Sequence, residues 1–180
     1  MAKLYFRHGP VSSAKTLNLL AARHNYLTQG KKVITVKPAA DTRYGERTIG
    51  SRALLTAEAD VVLEAGKTVP FTVELDGVSC VLVDEVQFLH PSYIDHFRTI
   101  ANAGVPVICY GLRTDHQRRL FPASARLFEL ADSIEEIKTT CARCNRKAIF
   151  NEKFAGDKGL QVEVGGDEMY RPVCATCWIS

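Results

Sequence analysis

The first 138 residues alternate short apolar runs with stretches of helical periodicity, and this alternation constrains the fold more than any other feature. Strand-like runs lie at 4–7, 32–37, 81–83, 106–110 and 134–138, and helical patterns lie at 15–29, 93–103 and 124–131. Strands that alternate with helices favour a mainly parallel sheet, because each connection must cross back over the sheet. We therefore expect an α/β fold in which helices flank both faces of such a sheet.

The sequence changes character near residue 139, where paired cysteines, glycines and short strand candidates such as 160–164 replace the alternating pattern. We expect two units, a larger domain at 1–138 and a small domain at 139–180. A chain of 180 residues with 46% hydrophobic content can form one sizeable core with such an appendage.

Four of the six cysteines form two CxxC pairs, namely Cys141, Cys144, Cys174 and Cys177. This spacing indicates a tetrahedral zinc site with four thiolate ligands. Because protein atoms fill every position of such a site, the zinc is expected to be structural and to tie the intervening segment together. The other interpretation is a zinc ribbon that serves only as a contact surface. Cys80 and Cys109 lie in apolar runs and are expected to be buried, unreactive thiols.

Charge and hydropathy exclude several classes of protein. The net charge of +3 arises from scattered Lys and Arg, so the chain lacks the basic tail or stripe typical of nucleic-acid binding. It also lacks a secretory signal pattern and an apolar run of membrane-spanning length. We expect a cytoplasmic protein with neither a nucleic-acid nor a membrane partner.

The stretch GPVSSAKT, Gly9–Thr16, follows the first strand candidate and precedes the first helix. A turn of this kind directs backbone N–H groups and the positive end of a helix at one point, where phosphate oxygens fit. Lys15 would reach the β- and γ-phosphates of a nucleotide, and the Thr16 hydroxyl would bind the associated Mg²⁺. Ala14 stands where the usual pattern has glycine. The other interpretation is a helix start with a solvated lysine.

Two carboxylates, Asp84 and Glu85, end the apolar run in VLVDEVQF. The carboxyl ends of parallel strands form the edge at which α/β proteins bind ligands. Asp84 is suited to hold Mg²⁺ and Glu85 to accept a proton, and we expect the two side chains to alternate across the strand. In isolation, an acidic pair that caps the next helix would be the better interpretation, but Lys15 and Thr16 favour the catalytic one.

Residues 38–52, PAADTRYGERTIGSR, are polar and lack periodicity, which predicts a long loop. Loops of this length are often functional. Arg43 is the candidate for an arginine that neutralises charge during phosphoryl transfer. A solvated loop charge is an equally good interpretation of this residue taken alone.

Taken together, these stretches resemble the zinc-containing type II thymidine kinases along nearly the whole chain. The motifs that carry the resemblance are GPVSSAKT, DTRYG, LVDEVQF, CYGLRTD, RLFPASARLFELAD, IEEIKTTCARCNRKAIFN, VGGDEMY and the final CATCW. The resemblance implies transfer of the ATP γ-phosphate to the 5′-hydroxyl of thymidine or deoxyuridine in nucleotide salvage. It also implies a homotetramer of P-loop nucleotide-binding domains at 1–138, each with a zinc-held lasso domain at 139–180 over the nucleoside.

The family's functional residues are carried over to matching positions. The ATP-binding loop would be Gly9, Pro10, Val11, Ser12, Ser13, Ala14, Lys15 and Thr16. The resemblance makes Glu85 the catalytic base, with Arg43 and Lys15 assisting the transferred phosphate and with Thr16 and Asp84 at the Mg²⁺. The nucleoside side would be Val11, Gln87, Phe88, Leu112, His116, Phe121, Val164 and Tyr170, with main-chain contacts to thymine near Val164.

Three positions depart from the family pattern. Ala14 replaces the loop glycine, Val11 replaces a methionine near the thymine methyl group, and His116 replaces a phenylalanine. The first concerns turnover and the other two concern base preference. Ala14 prompts one rival function, a catalytically weakened nucleotide-binding relative. A second rival, from a different class, is a zinc-ribbon P-loop ATPase that acts on nucleic acid.

Overall fold

The computed structural model describes residues 1–64, 74–156 and 169–178. Its strands are β1 (Leu4–His8), β2 (Lys32–Pro38), β3 (Thr48–Gly50), β4 (Thr56–Glu58), β5 (Val61–Leu63), β6 (Val78–Val83), β7 (Val107–Gly111), β8 (Ser133–Glu136), β9 (Phe150–Lys153) and β10 (Tyr170–Val173). Its α-helices are α1 (Lys15–Thr28), α2 (Pro91–Asn102) and α3 (Pro122–Leu130). The strand candidate at 160–164 lies outside the described residues.

Six strands form a parallel sheet in the order β5-β2-β6-β7-β1-β8. This confirms the predicted α/β architecture with a mainly parallel sheet. β7 separates β1 from β6, so the segments that follow β1 and β6 leave the same edge of the sheet about 10 Å apart. The phosphate-loop candidate and the acidic pair are therefore neighbours in space.

The alternation of side chains along β6 divides the core between the two faces of the sheet. Val81 and Val83 pack toward α2 and α3, whereas Cys80 and Leu82 pack toward α1. All four side chains are fully buried, because helices cover both faces. This explains why residues 80–83 of β6 are all apolar rather than alternating.

Proline positions set the starts of two helices. Pro91 and Pro122 occupy the first turn of α2 and α3, where the missing N–H is not needed. Both helices therefore begin two residues before the bounds that periodicity predicts, 93 and 124.

The predicted loop at 38–52 is only partly a loop. Thr48–Gly50 pairs with Thr56–Glu58 in a short antiparallel hairpin, β3–β4. Three-residue strands are too short to show a period of two in the sequence, and the edge strand β5 was missed for the same reason.

The chain after residue 138 forms a hairpin with its own small cluster. β9 and β10 are antiparallel, and Ala148 and Val173 are buried among the four paired cysteines. We call the described residues 139–156 and 169–178 the cysteine module.

None of the helices in the described ranges combines the length and apolarity needed to cross a bilayer.

We expect Leu127→Ala to lower the free energy of unfolding by about 2–5 kcal/mol, because the side chain is fully buried between α3 and the sheet. Leu27→Ala is the matched control, since its side chain is 43% exposed near the end of α1. Urea unfolding followed by circular dichroism measures both variants. Equal losses in the two would contradict the assignment of this core.

Candidate active site

The turn between β1 and α1 has an unusual backbone. Ser12 and Ala14 adopt left-handed conformations with φ of 60° and 62°. Gly9 is required for a different reason, because a Cβ atom there would lie 2.4 Å from the carbonyl oxygen of Ile137. Ala14 therefore occupies a position at which glycine would be unstrained, and an L-residue there costs about 1–2 kcal/mol.

Lys15 folds back over the turn and is buried. Its Nζ donates to the carbonyl oxygen of Pro10 at 2.7 Å and to Ser13 Oγ at 3.4 Å. Burial lowers the pKa of Lys15 to about 8, although the Glu85 and Asp84 carboxylates act in the opposite direction. An anion bound at the turn would restore the preference for the charged ammonium. The solvated-lysine interpretation is wrong.

Thr16 and Asp84 meet at the carboxyl edge of the sheet. Thr16 Oγ1 donates to the two Asp84 carboxylate oxygens at 3.0 and 3.2 Å. Asp84 is 4% exposed, and burial together with the adjacent Glu85 raises the pKa of its carboxyl group. A hydroxyl and a buried carboxylate in contact form the hard oxygen set that Mg²⁺ prefers.

The two neighbouring carboxylates diverge, but not by the predicted strand alternation. β6 ends at Val83, and Glu85 has a left-handed backbone with φ of 47°. This turn, rather than the pleat of a strand, directs Glu85 away from Asp84. The expected alternation of the two side chains across a strand is therefore wrong, and their separate tasks stay a prediction.

The Glu85 carboxylate accepts hydrogen bonds from two side chains. Gln87 Nε2 donates to its Oε2 at 2.6 Å, and Arg43 Nη2 donates to its Oε1. Burial opposes ionisation, but Arg43 and Lys15 outweigh it and hold the pKa of Glu85 below its usual range. Glu85 is therefore an ionised, oriented carboxylate.

The Arg43 side chain is 28% exposed, but its guanidinium is paired with two carboxylates rather than left to solvent. Its Nε and Nη2 contact the Asp41 carboxylate at 2.7 and 3.2 Å, and Nη2 also contacts Glu85. Burial acts to lower the pKa of Arg43, but the two carboxylates raise it overall, so the guanidinium stays charged. The loop that carries Arg43 thus reaches the end of β6.

Sequence reasoning missed Lys37, which positions this loop. Its side chain is 1% exposed, and its Nζ donates to the carbonyl oxygens of Gly45 and Thr48 at 3.0 and 2.8 Å. A lysine inside the apolar run VITVKP was an available signal, because a buried ammonium needs nearby acceptors.

Tyr44, in the same loop, packs closely on Gly50, where an added Cβ would lie 2.4 Å from the Tyr44 ring.

A cavity of about 290 Å³ opens beside these charged groups. Most of the predicted turn lines it, except Gly9 and Pro10, and Lys15, Arg43 and Glu85 line it as well. The structure also brings seven of the eight predicted nucleoside-side residues to this cavity: Val11, Gln87, Phe88, Leu112, His116, Phe121 and Tyr170. The eighth, Val164, lies outside the described residues.

Aromatic side chains form the apolar end of the cavity. Phe88 and Phe121 make an edge-to-face pair with ring centroids 6.1 Å apart, and His116 lies 6.4 Å from Tyr170. Gln87 supports this end, because its Oε1 accepts from the Leu112 N–H at 3.0 Å. A flat apolar group fits between such rings, while the charged end accepts an anion.

The four paired cysteines are arranged as a metal site. Their sulfur atoms all lie within 4.8 Å of one another. Cys144 Sγ is 3.7 Å from the Sγ atoms of both Cys174 and Cys177. Tetrahedral Zn–S bonds of about 2.3 Å require sulfur atoms about 3.8 Å apart, so the four thiols lie close to the arrangement that zinc requires.

The other two cysteines are buried in the sheet. Burial raises the pKa of the Cys80 thiol to about 11 and raises that of Cys109 as well. Both remain protonated at neutral pH, as expected of unreactive thiols.

The cysteine module contacts the cavity wall. Trp178 Nε1 donates to the carbonyl oxygen of His116 at 3.3 Å, and the Arg118 guanidinium lies 3.7 Å from the centre of the Trp178 ring. Asn151, which sequence reasoning also missed, lines the cavity from β9. Asn151 is one of three polar residues in the segment FNEK, and nothing in the sequence indicated that it would line the cavity.

Comparison with known proteins agrees with this geometry. A family model described as thymidine kinase matches residues 2–178. A thymidine kinase of Chromobacterium violaceum is 42% identical over 99% of this chain and 98% of its own length, and one of Lactococcus lactis is 39% identical over 97% and 95%. The solved structure of Bacteroides Pif1 bound to ssDNA matches 75% of this chain and 38% of its own, with a TM-score of 0.45 and 17% identity, which is too weak to bear on function. The chain therefore belongs to the thymidine kinase family.

Proposed function

We propose that the protein transfers the γ-phosphate of ATP to the 5′-hydroxyl of thymidine or deoxyuridine. The observation that carries this proposal is a single cavity with Lys15, Arg43 and Glu85 at one end and aromatic rings at the other. A triphosphate needs cations, a nucleobase needs flat apolar walls, and the sugar hydroxyl needs a base between them. Family membership supports the same activity.

Phosphoryl transfer depends on positioning and charge neutralisation more than on covalent chemistry. In the proposed mechanism the turn amides of residues 12–16 and the Lys15 ammonium bind the phosphates. Thr16 and Asp84 would hold Mg²⁺, which supplies further neutralisation of the phosphate charge when bound. Arg43 lies against Glu85, so its guanidinium is close to the point at which the phosphoryl group meets the hydroxyl.

Glu85 is proposed to accept the proton of the 5′-hydroxyl. The ionised state of Glu85 suits this role. Gln87 holds one of its carboxylate oxygens, and the Glu85 side chain still lines the cavity. A pKa below the usual range makes Glu85 a weak base. This is sufficient where the hydroxyl loses its proton late, as expected for a loose transition state.

The nucleobase is proposed to lie between the Phe88–Phe121 pair and the His116–Tyr170 pair. Val11 and His116 differ from the family pattern, and a change of this size in an apolar pocket alters discrimination by only about 1–3 kcal/mol. We therefore infer a loosened preference between thymine and uracil within the same substrate class.

Several finer points remain, of which the domain boundary and the location rest on the sequence pattern and the others draw on the family resemblance. We place the domain boundary at 138/139, with a P-loop domain before it and the zinc-held lasso domain after it. The zinc would be structural and Mg²⁺ catalytic. A homotetrameric assembly and a cytoplasmic location complete the proposal.

The carboxylate of Glu85 is tested by Glu85→Gln, which preserves shape but removes the base. We expect kcat to fall by about 100-fold or more, while the dissociation constant for thymidine stays close to that of the wild type. The exposed Glu46→Gln is the matched control and keeps full turnover. Steady-state kinetics and calorimetric titration with thymidine measure the two quantities. More than a few per cent of wild-type turnover in Glu85→Gln would remove Glu85 from this role.

The strain at Ala14 would support the rival function, a catalytically weakened relative, only if it moved the amides of the phosphate loop out of position. Because Ala14 already adopts the left-handed conformation, Ala14→Gly should leave stability within about 0.5 kcal/mol of the wild type or raise it. Ala21→Gly, on the exposed side of α1, should instead lose about 1 kcal/mol. Urea unfolding of both variants provides the comparison. A comparable loss in Ala14→Gly would show that the left-handed assignment is wrong.

Purified protein is expected to contain one zinc ion per chain, and Cys174→Ala should lose it together with thermal stability, because the closed site would lack a ligand. Cys80→Ala is the control and should retain the metal. Elemental analysis by mass spectrometry and thermal unfolding measure the outcome. Full zinc content in Cys174→Ala, or none in the wild type, would contradict the four-thiolate site.

A further inference from the structure

Two hydrogen bonds join the cysteine module to the phosphate-loop candidate. The Val11 N–H donates to Asn151 Oδ1 at 2.8 Å, and Thr139 Oγ1 donates to the Ser12 carbonyl oxygen at 3.3 Å. Val11 and Ser12 are consecutive, so the module contacts the N–H at the start of this dipeptide and the C=O at its end. We call Asn151 and Thr139 the loop clamp.

The loop clamp acts where the backbone needs support. Ser12 has a φ of 60°, a conformation that side-chain-bearing residues persist in only when their surroundings impose it. The peptide groups on either side of Ser12 belong to the turn whose amides are aimed at the phosphate. A change at Ser12 would therefore redirect the amides of the turn.

The amide of Asn151 is fixed at both ends. It is 4% exposed, and its Nδ2 donates to the Thr114 carbonyl oxygen at 3.2 Å while its Oδ1 accepts from Val11. Such a side chain cannot rotate without breaking one buried hydrogen bond. It therefore presents its oxygen to the loop in a single orientation.

Both members of the loop clamp depend on the cysteines for their positions. Thr139 lies two residues before Cys141, and its carbonyl oxygen accepts from Ala148 N at 2.9 Å. Asn151 pairs with Pro172 across β9 and β10, two residues before Cys174. The metal site would thus tie the segment that carries Thr139 to the end of β10, the strand that pairs with Asn151.

We propose that the zinc-bound cysteine module pre-organises the phosphate loop through Asn151 and Thr139, so that zinc occupancy sets the affinity for ATP even in the absence of nucleoside. This inference rests on the proposed ATP site and deepens it. A module that acted only as a cover over the nucleoside would leave ATP binding unchanged. Asn151 and Thr139 are positioning residues, because they act through the loop backbone.

The test is calorimetric titration of Mg²⁺–ATP into nucleoside-free protein. Asn151→Ala and Thr139→Val should each raise the dissociation constant for ATP about threefold to tenfold, the range that loss of one hydrogen bond gives. Thr140→Val is the matched control, since Thr140 is exposed in the same segment and should match the wild type. Circular dichroism confirms the fold of each variant.

Zinc removal completes the cycle. Removing zinc from the wild type with a chelator should raise the dissociation constant for ATP at least as much as the double substitution Thr139→Val/Asn151→Ala does. The same treatment should raise it little further in the double variant. Equal effects of chelation in both proteins would overturn the coupling through the clamp, as would unchanged ATP affinity in Thr139→Val. If Asn151→Ala or the chelated protein unfolds, Thr139→Val against Thr140→Val decides alone. Failure of the wild type to bind ATP would overturn the proposed function as well, whereas ATP binding insensitive to these changes overturns only the clamp.

Discussion

A set of opposite charges at the carboxyl edge of the sheet, buried except for the partly exposed Arg43, governs this structure. Three cations and three carboxylates meet there, namely Lys15, Lys37, Arg43, Asp41, Asp84 and Glu85. Taking such groups out of water is costly unless each one is paired, and removing one member of a buried pair costs about 3–5 kcal/mol. The set therefore stabilises one arrangement of three separate segments: the turn after β1, the arginine loop and the end of β6.

The same charge balance suits the set to its proposed ligand. Burial makes both the Lys15 ammonium and the Asp84 carboxylate less favourable in their charged forms. A triphosphate with its divalent cation would supply the missing partner to each, so binding would relieve two costs at once. Arg43 and Glu85 already neutralise one another and are held ready for the transferred group and the hydroxyl.

The sequence predicted the parallel sheet, the position of the turn and the cysteine quartet, because each depends on local spacing or periodicity. It did not predict Lys37 or Asn151. Their functions arise from carbonyl and N–H groups of distant segments, at 45–48 for Lys37 and at 11 and 114 for Asn151, and no spacing in the sequence encodes such pairs. The hairpin β3–β4 and the left-handed turn at Glu85 were missed because three-residue strands and a single φ value leave no periodic signal.

In the proposed function, one cavity brings the terminal phosphate of ATP to a sugar hydroxyl beside Glu85. The most direct measurement follows the radioactive label of [γ-³²P]ATP with thymidine and Mg²⁺, in parallel with 5′-deoxythymidine, which lacks the accepting hydroxyl. We expect one labelled thymidine monophosphate for each ADP formed, and no labelled nucleotide from the 5′-deoxy analogue. ADP formation with release of labelled inorganic phosphate, equal with both nucleosides, would contradict it.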